Sequence, residues 1–505
     1  MLLSELIKNL KNKDDVTLYG ADDVLITGIC PDSSRVEPGN LYVAIEGLHA
    51  DGHSFIGEAK QRGISALAVS SKAINDGRVD IDELDLPVLI AQDTRELISY
   101  LFSAWYKNPQ DEIKIVGVTG TNGKTTVATL TREILTGGDI PSGIIGTVGC
   151  YSPKGKLDVR SANANANMTT PDPEELYRIL RIMADDGARV VVMETTSHAL
   201  ALKKTEPIDF EIAVFTNLSE DHLDFHNNME NYFAAKARLF DKCRLAVINY
   251  DDRYGRKLAE KIDIPHFFCS AEGRETDCAA EDVHILGGGI EYKLTSRDLR
   301  LRVRSPLRGG FNVMNTMQAA VTARALGVSA ITVKESLARL SGIIGRLERL
   351  KIDGKADFSV YIDYAHTPDA LENLLRTARA FTKSNQRIVL VFGCGGDRDK
   401  TKRPIMGKIA VDMADFVIIT GDNSRSERTV DIIRDIISGI VDREGASYTV
   451  IESRRDAIEY AIKNARRGDV ILLAGKGHEE YEIDDKGKHP FSERMLVKEF
   501  TDKYY

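Results

Sequence analysis

Short unbroken apolar runs, each ending in a polar, glycine-bearing stretch and then a helical pattern, recur along this chain. They lie at 114–118, 189–193 and 212–216, and again at 359–362, 387–392, 416–420 and 470–474. Each is too short for a buried helix and lacks the alternation of a half-exposed strand. Such runs predict strands covered on both faces, so the chain reads as α/β, with mostly parallel sheet under helices. Helical periodicity at 125–135, 174–186 and 312–326 supplies part of the cover. Residues 280–306 depart from this pattern: runs at 290–294 and 299–303 flank a polar turn and predict an antiparallel excursion. The first 108 residues mix short strands at 41–45, 66–69 and 88–90 with a helix at 54–62.

Two breaks mark domain limits. The Asn108-Pro109-Gln110-Asp111 turn closes the first region, and a second α/β block starts after Arg346-Leu347-Glu348. The expected division is 1–108, 109–346 and 347–505, since 505 residues suit about three cores. No repeat of solenoid period occurs, and the Ala/Asn alternation at 162–167 reads as a surface loop.

Composition narrows the function. Hydrophobic content of 43% and charged content of 28% are ordinary for a globular protein. A net charge of −9 excludes a generic nucleic-acid or anionic-membrane binder, so an anionic ligand must be met by local basic clusters. The six cysteines lack C-x-x-C spacing and are expected to be reduced core residues, not a disulfide or zinc framework. The amphipathic start at 1–8 has no long apolar segment behind it, and no run approaches the roughly 20 residues that span a bilayer. A cytoplasmic monomer without nucleic-acid or stable membrane association is expected.

Residues 115–126 read Ile-Val-Gly-Val-Thr-Gly-Thr-Asn-Gly-Lys-Thr-Thr, an apolar strand entering a glycine turn before a helix. Glycines let backbone N–H groups close on a polyphosphate, Lys124 adds a point charge, and the Thr125 hydroxyl can reach a Mg²⁺ ion. The long form of this motif needs glycine where Val118 stands, so the loop is the shorter G-x-x-G-K-T-T. A purely structural turn is the alternative.

Glu194 ends the run at 189–193, a usual place for a Mg²⁺ ligand or water-orienting group, although a helix cap or salt bridge would also put a carboxylate there. Residues 221–226, Asp-His-Leu-Asp-Phe-His, match no zinc spacing and are equally explained by exposed capping carboxylates with a packed histidine. Lys236, on an amphipathic helical stretch at 231–240, is expected to be a solvated surface lysine. In open parallel sheets ligands gather at the carboxyl ends of strands. The loops there, at 363–366, 393–402, 422–427 and 475–479, carry the polar residues of the last block. Their Arg398 and Arg425 can receive carboxylates by bidentate contact, with turn residues and solvated charges as the alternative. Near the start, residues 32–35 form a polar loop of no evident chemistry.

Taken in order, the motifs at 120–126, 169–173, 194–198, 217–224, 311–315, 345–348, 363–368, 393–398 and 475–479 resemble those of the Mur ligases. The resemblance spans nearly the whole chain, and the ordered set is specific where each motif alone is weak. It implies a UDP-binding N-terminal domain, a central ATPase domain and a Rossmann-like C-terminal domain that takes an amino acid. It also implies ATP and Mg²⁺ as cofactors, with an acyl phosphate on the acceptor carboxylate captured by the incoming amine.

By that resemblance, Gly120, Thr121, Asn122, Gly123, Lys124, Thr125 and Thr126 would hold the phosphates, and Thr125, Glu194 and His222 the metal. Lys236 would be carbamylated and act as a further metal ligand, which reverses the surface reading. Asn312, Arg346 and Asp363 would contact adenine, phosphate and ribose. Ser34 would lie near the uridine moiety, and Thr169, Thr170, Thr196 and Lys204 near the muramoyl dipeptide, with Lys204 replacing an arginine. Arg398, Asp422, Asn423, Arg425, Gly475 and Glu479 would receive the amino acid. The members that add diaminopimelate to UDP-N-acetylmuramoyl-L-alanyl-D-glutamate typically carry Asp-Asn-Pro-Arg where this chain has Asp-Asn-Ser-Arg at 422–425. Arg425 favours meso-diaminopimelate, because lysine has no distal carboxylate to pair with it. The competing expectations are a lysine-adding ligase, a folylpolyglutamate synthetase, and an ATP-binding regulatory switch without ligase chemistry.

Overall fold

The structure is a computed structural model that describes residues 1–47, 50–159, 168–297, 299–352, 356–440, 445 and 447–505. The expected loop at 162–167 lies outside them. Among the described residues, three large sheets follow one another along the chain, and a two-stranded antiparallel sheet of Tyr481–Asp484 and Gly487–Pro490 comes after them. The first has five strands, in the order Val16–Tyr19, Val88–Ala91, Ala66–Ser70, Asn40–Val43 and Gly28–Cys30, and only the edge strand Val16–Tyr19 is antiparallel.

The second sheet has eleven strands. Seven neighbours are parallel, running from Ser142–Gly146 through Val190–Glu194, Lys114–Thr119, Phe210–Phe215, Cys243–Asn249 and His266–Ser270 to Cys278–Leu286. Antiparallel strands extend both edges, and Gly289–Ser296 with Arg300–Ser305 is the predicted excursion. Strand Lys114–Thr119 is buried beyond Lys114 because both of its faces are covered. On one face Val116 and Val118 meet Val127, Leu130 and Met317 from helices Lys124–Gly137 and Phe311–Ala325. On the other, Ile115 joins a core shared with Leu97 and Leu101 of helix Thr94–Trp105 and with Leu176 and Leu180 of helix Pro173–Asp185. That shared core fastens the first sheet to the second.

The third sheet orders Glu348–Arg349, Ser359–Asp363, Val470–Ala474, Ile388–Phe392, Phe416–Ile419 and Tyr448–Val450, antiparallel only at its first pair. Apolar cores lie on both of its faces. All six cysteines are free thiols, five of them buried. Among the described residues, no helix is long and apolar enough to cross a membrane.

One buried ion pair ties the last block together. Arg454 donates through Nε to Glu493 Oε1 at 2.8 Å and through Nη2 to the Ala474 carbonyl at 2.8 Å, and neither side chain reaches solvent. It joins helices Arg454–Lys463 and Glu493–Tyr504 to the end of strand Val470–Ala474. Removing one partner strands a buried charge. Glu493→Ala should therefore destabilise the protein by about 3–5 kcal/mol, read as a lowered thermal midpoint of the last block.

Candidate functional site

The site begins with the backbone of the glycine loop. Gly120 has φ +147° and Gly123, the N-cap of helix Lys124–Gly137, has φ +85°, values that L side chains rarely adopt. A Cβ on Gly120 would lie 1.9 Å from Thr216 Oγ1. That hydroxyl donates to the Asn122 carbonyl at 2.6 Å, Asn217 Oδ1 accepts from Asn122 N at 2.9 Å, and the Asn217 carbonyl accepts from Thr121 N at 2.9 Å. The end of strand Phe210–Phe215 thus braces the loop. Lys124 Nζ folds back on the carbonyls of Gly120 at 3.0 Å and Thr121 at 2.8 Å. Burial lowers the pKa of its amine.

Carboxylate and hydroxyl groups meet at the start of the helix. Thr125 Oγ1 donates to Glu194 Oε2 at 2.9 Å, and Arg346 Nη2 donates to Thr125 Oγ1 at 2.9 Å. Glu194 is fully buried and also accepts from Thr147 N at 2.8 Å and Thr147 Oγ1 at 3.1 Å. It is neither a helix cap nor a member of an ordinary salt bridge. Thr170 Oγ1 donates to the Glu194 carbonyl at 2.9 Å and accepts from Thr196 N at 3.0 Å, while Thr169 and Thr147 hydroxyls stand 3.1 Å apart.

The histidine-rich turn lies beside this group. Asp221 is buried and Asp224 exposed, and helix Leu223–His226 has no side-chain cap, so of the expected exposed capping carboxylates only the exposure of Asp224 is met. His222 has φ +54° and its ring meets His198 edge-on at 4.9 Å. Burial, opposed by the Asp221 charge, favours the neutral imidazole. Lys402 Nζ reaches to 3.8 Å from Asp221 out of the third-sheet block. Among the described residues, no group of three or more His, Cys, Asp or Glu forms a ready-made metal cage.

Lys236 overturns the surface expectation drawn from its local pattern. It is 1% exposed, its Nζ donates to the Gly120 carbonyl at 2.8 Å, and it stands 4.6 Å from the centre of the Tyr232 ring. Desolvation, with the Lys124 charge next, pushes its pKa well below that of an ordinary amine. The helix turns this face inward because Tyr232, Phe233, Ala235 and Lys236 are all buried there, a sidedness that a nine-residue helix shows weakly in sequence.

The third sheet supplies the facing wall. Asp363 accepts from Leu347 N at 2.6 Å and Ala365 N at 2.8 Å, which seats the linker that carries Arg346. Asn122 Nδ2 donates to Asp369 Oδ2 at 2.8 Å, a direct bond from the glycine loop to helix Pro368–Phe381. Further along, Asn423 Nδ2 donates to Glu479 Oε2 at 2.8 Å, and the buried Lys476 Nζ donates to Asn423 Oδ1 at 2.9 Å. Burial would raise Asp422, but the Lys476 and Arg454 charges outweigh it and hold its carboxyl below the ordinary range. Burial and then the Asp422 charge raise Glu479. Arg425 and Arg398 form no ion pair with a described residue and donate only to loop carbonyls. Burial and the like charge of Arg398 lower the Arg425 pKa.

These walls enclose one cavity of about 1280 Å³. Comparison with known proteins gives it a context. Residues 25–106 match the Mur ligase family catalytic domain, 118–323 the Mur ligase middle domain, and 345–477 the Mur ligase glutamate ligase domain. The UDP-N-acetylmuramoyl-L-alanyl-D-glutamate–2,6-diaminopimelate ligase of Syntrophomonas wolfei is 39% identical over 99% of both chains. The Clostridium tetani protein of the same name is 36% identical over the whole of both. The chain is a Mur ligase. A solved structure of a ligase with that name, 31% identical, covers 95% of each chain with a TM-score of 0.63. A D-alanyl-D-alanyl-adding ligase from Acinetobacter baumannii, at 17% identity and a TM-score of 0.59, shares the fold.

In this Mur ligase the cavity gathers most of the residues singled out from sequence. Thr121–Thr126, Glu194, His222, Asn312, Arg346 and Asp363 line it, as do Thr169, Thr196, Arg398, Asp422, Asn423, Arg425, Gly475 and Glu479. Gly120 and Thr170 stand one layer behind, touching Lys124 and Thr196 of the lining, and Lys236 stands behind Gly120. Lys204 is buried against Asp172 at 2.8 Å, and Ser34 donates to Asp32 in the first-sheet block, both outside the lining. Thr147, Asp369 and Lys402 line the cavity without having been singled out. Thr147 follows strand Ser142–Gly146, and that strand-end position was the available signal.

Proposed function

We propose that this Mur ligase uses ATP to join meso-2,6-diaminopimelate to UDP-N-acetylmuramoyl-L-alanyl-D-glutamate, in peptidoglycan precursor synthesis. One observation carries the reading: a single cavity has the glycine loop with Glu194 on one wall and, on another, Arg398 and Arg425, two guanidiniums without a carboxylate partner among the described residues. The full-length relatives whose names specify that amino acid and acceptor support it. The proposed domains are 1–108 for the UDP moiety, 109–346 for ATP and 347–505 for the amino acid. Because the chain carries net −9 and acidic side chains also line the cavity, an anion there must be met by individual cations such as Lys124, Arg346, Arg398 and Arg425.

A carboxylate is a poor acyl donor. Transfer of the ATP γ-phosphoryl group to one acceptor oxygen makes an acyl phosphate and ADP. The neutral amine of diaminopimelate then attacks the carbonyl carbon to form the C–N bond, its nitrogen loses a proton to solvent, and the tetrahedral adduct expels orthophosphate as the carbonyl re-forms. Lys124, loosened from its own loop carbonyls, would balance charge on the phosphates, and the glycine-loop N–H groups would orient them.

The residues present fit Mg²⁺, which takes oxygen donors from few side chains and the rest from phosphate and water. Thr125 and Glu194 offer two such oxygens 2.9 Å apart, with neutral His222 on the same lining. Bound there, Mg²⁺ would offset the charge that accumulates between ATP and an anionic acceptor. A buried amine of depressed pKa is neutral enough to add CO₂ at nitrogen and lose a proton. Lys236 would thereby become a carbamate anion, exchanging a buried cation beside Lys124 for an attractive partner.

At the far wall, Arg398 and Arg425 would grip the distal carboxylate and Glu479 the distal ammonium. Lysine would leave both guanidiniums desolvated and unpaired.

With acceptor carboxylate labelled in ¹⁸O, one label should appear in released orthophosphate, only when diaminopimelate is present. Unlabelled phosphate, or ATP hydrolysis indifferent to the amine, would end the ligase reading. Arg425→Ala should raise the diaminopimelate KM about 10- to 150-fold, the scale of a lost charge-assisted hydrogen bond, with the ATP KM unchanged. Lys236→Ala should lower kcat by about two orders of magnitude, and bicarbonate should not restore it. The wild-type protein under ¹³CO₂ should show a carbamate carbon resonance that this variant lacks.

A further inference from the structure

Behind the Arg398 and Arg425 guanidiniums, which have no ion-pair partner among the described residues, lies an ion-pair network whose Arg403 and Glu427 do not line the cavity. Arg403, in helix Lys402–Met413, is completely buried. Its fork grips Glu427: Nη1 donates to Oε2 at 3.0 Å and Nη2 to Oε1 at 2.9 Å. Nη1 also donates to Asp435 at 2.8 Å, and Nη2 to the Gly395 carbonyl at 3.1 Å. Glu427 in turn accepts from Asp397 N at 2.7 Å and Lys400 Nζ at 3.0 Å. One carboxylate therefore holds the loop that carries Arg398 to the loop that carries Arg425.

The join is completed by contacts that leave little slack. Asp397 accepts from Ser426 Oγ at 2.7 Å, Gly396 N donates to the Asn423 carbonyl at 2.9 Å, and Arg425 Nη1 donates to the Gly396 carbonyl at 2.8 Å. A Cβ on Gly396 would lie 1.9 Å from the Ser424 carbonyl, so the two backbones are pressed together. Asp397 at φ +51° and Arg425 at φ +53° both hold left-handed conformations that non-glycine residues adopt at a cost. Such conformations persist only where surroundings over-determine them, and here the loops also bring two like charges together.

We propose that the Arg403–Glu427 pair is the positioning element that fixes the separation of Arg398 and Arg425, and thereby sets selectivity for an amine bearing a distal carboxylate. The inference rests on the amino-acid reading given above. Neither Arg403 nor Glu427 lines the cavity, so each acts through the arginines it places. A bidentate guanidinium–carboxylate pair fixes orientation as well as distance, which a lysine at 403 cannot do.

The test is steady-state kinetics of the full chain against each substrate in turn, for wild type, Glu427→Gln and Arg403→Lys. The amide of Glu427→Gln matches the carboxylate in size, so the variant keeps the shape of the site while losing the charged pair. Both variants should raise the diaminopimelate KM about 10-fold or more, on the scale of a small misplacement of binding groups. The KM values for ATP and the UDP-dipeptide should stay within about twofold, and the preference for diaminopimelate over lysine should narrow in proportion. An unchanged diaminopimelate KM in Glu427→Gln, an equal rise for all three substrates, or a fall in kcat alone would overturn the proposal. A wild-type protein that prefers lysine would instead overturn the amino-acid reading, before any variant is measured.

Discussion

The Thr125 hydroxyl is the point on which three parts of the chain close. It donates to Glu194, at the end of the strand next to the glycine-loop strand, and accepts from Arg346, in the linker to the third sheet. A hydroxyl has one proton to give and lone pairs to receive, so a single atom can satisfy both a buried carboxylate and a guanidinium. Without it, Glu194 would lose one of the donors that offset its burial, and Arg346 its hold on the second sheet. Asn122 to Asp369 adds a second bond across the same seam. The seam between second and third sheets is therefore polar, and its polar groups are the ones proposed to handle phosphate and metal. Ligand binding and the relative placement of the blocks draw on the same bonds, which is the arrangement expected where closure assembles a site.

Charge is distributed with the same economy. Most arginines have a carboxylate partner, and the buried Arg454 and Arg403 are each held by carboxylates. Arg398 and Arg425 are among the arginines that donate only to carbonyls, as Arg308 does, and all three line the cavity. Lys124 and Lys236 likewise rest on backbone oxygens of one loop, with desolvation lowering the pKa of both. In an acidic chain that has carboxylates to spare, cations left to neutral acceptors are the groups with capacity for an anionic ligand.

The parallel-sheet architecture could be read from the chain because a strand buried on both faces has no polar phase, and runs such as 470–474 contain nothing else. The glycine loop was readable for a related reason: its conformation demands glycine at 120 and 123, and residue identity reports φ there. Lys236 was unreadable from local pattern. Its burial is decided by Tyr232 packing on one side and the Gly120 carbonyl on the other, and the latter lies 116 residues away in sequence. Only the ordered set of family motifs brought it to notice. The structural role of Arg403, a basic residue following the 393–402 loop, was hidden for the same reason, since its partners Gly395, Glu427 and Asp435 come from three segments. Thr147 escaped because a lone threonine after a strand is too common to mean anything until its N–H is seen on Glu194.

The two ends of the cavity are built by different means, and the difference has a consequence. The glycine loop is held by backbone geometry: a Cβ at Gly120 meets Thr216, so side-chain change there is blocked outright. The arginine loops are held by side-chain pairs hung on Arg403, with close backbone contact at Gly393 and Gly396. Backbone geometry cannot be tuned by small steps, whereas a side-chain network can be shifted, loosened or re-charged one residue at a time. Ser424 fits this account, because a residue without a ring to fix φ suffices where neighbouring ion pairs already define the loop. A fold arranged in this way can alter which amine it accepts while leaving the chemistry that activates the carboxylate untouched.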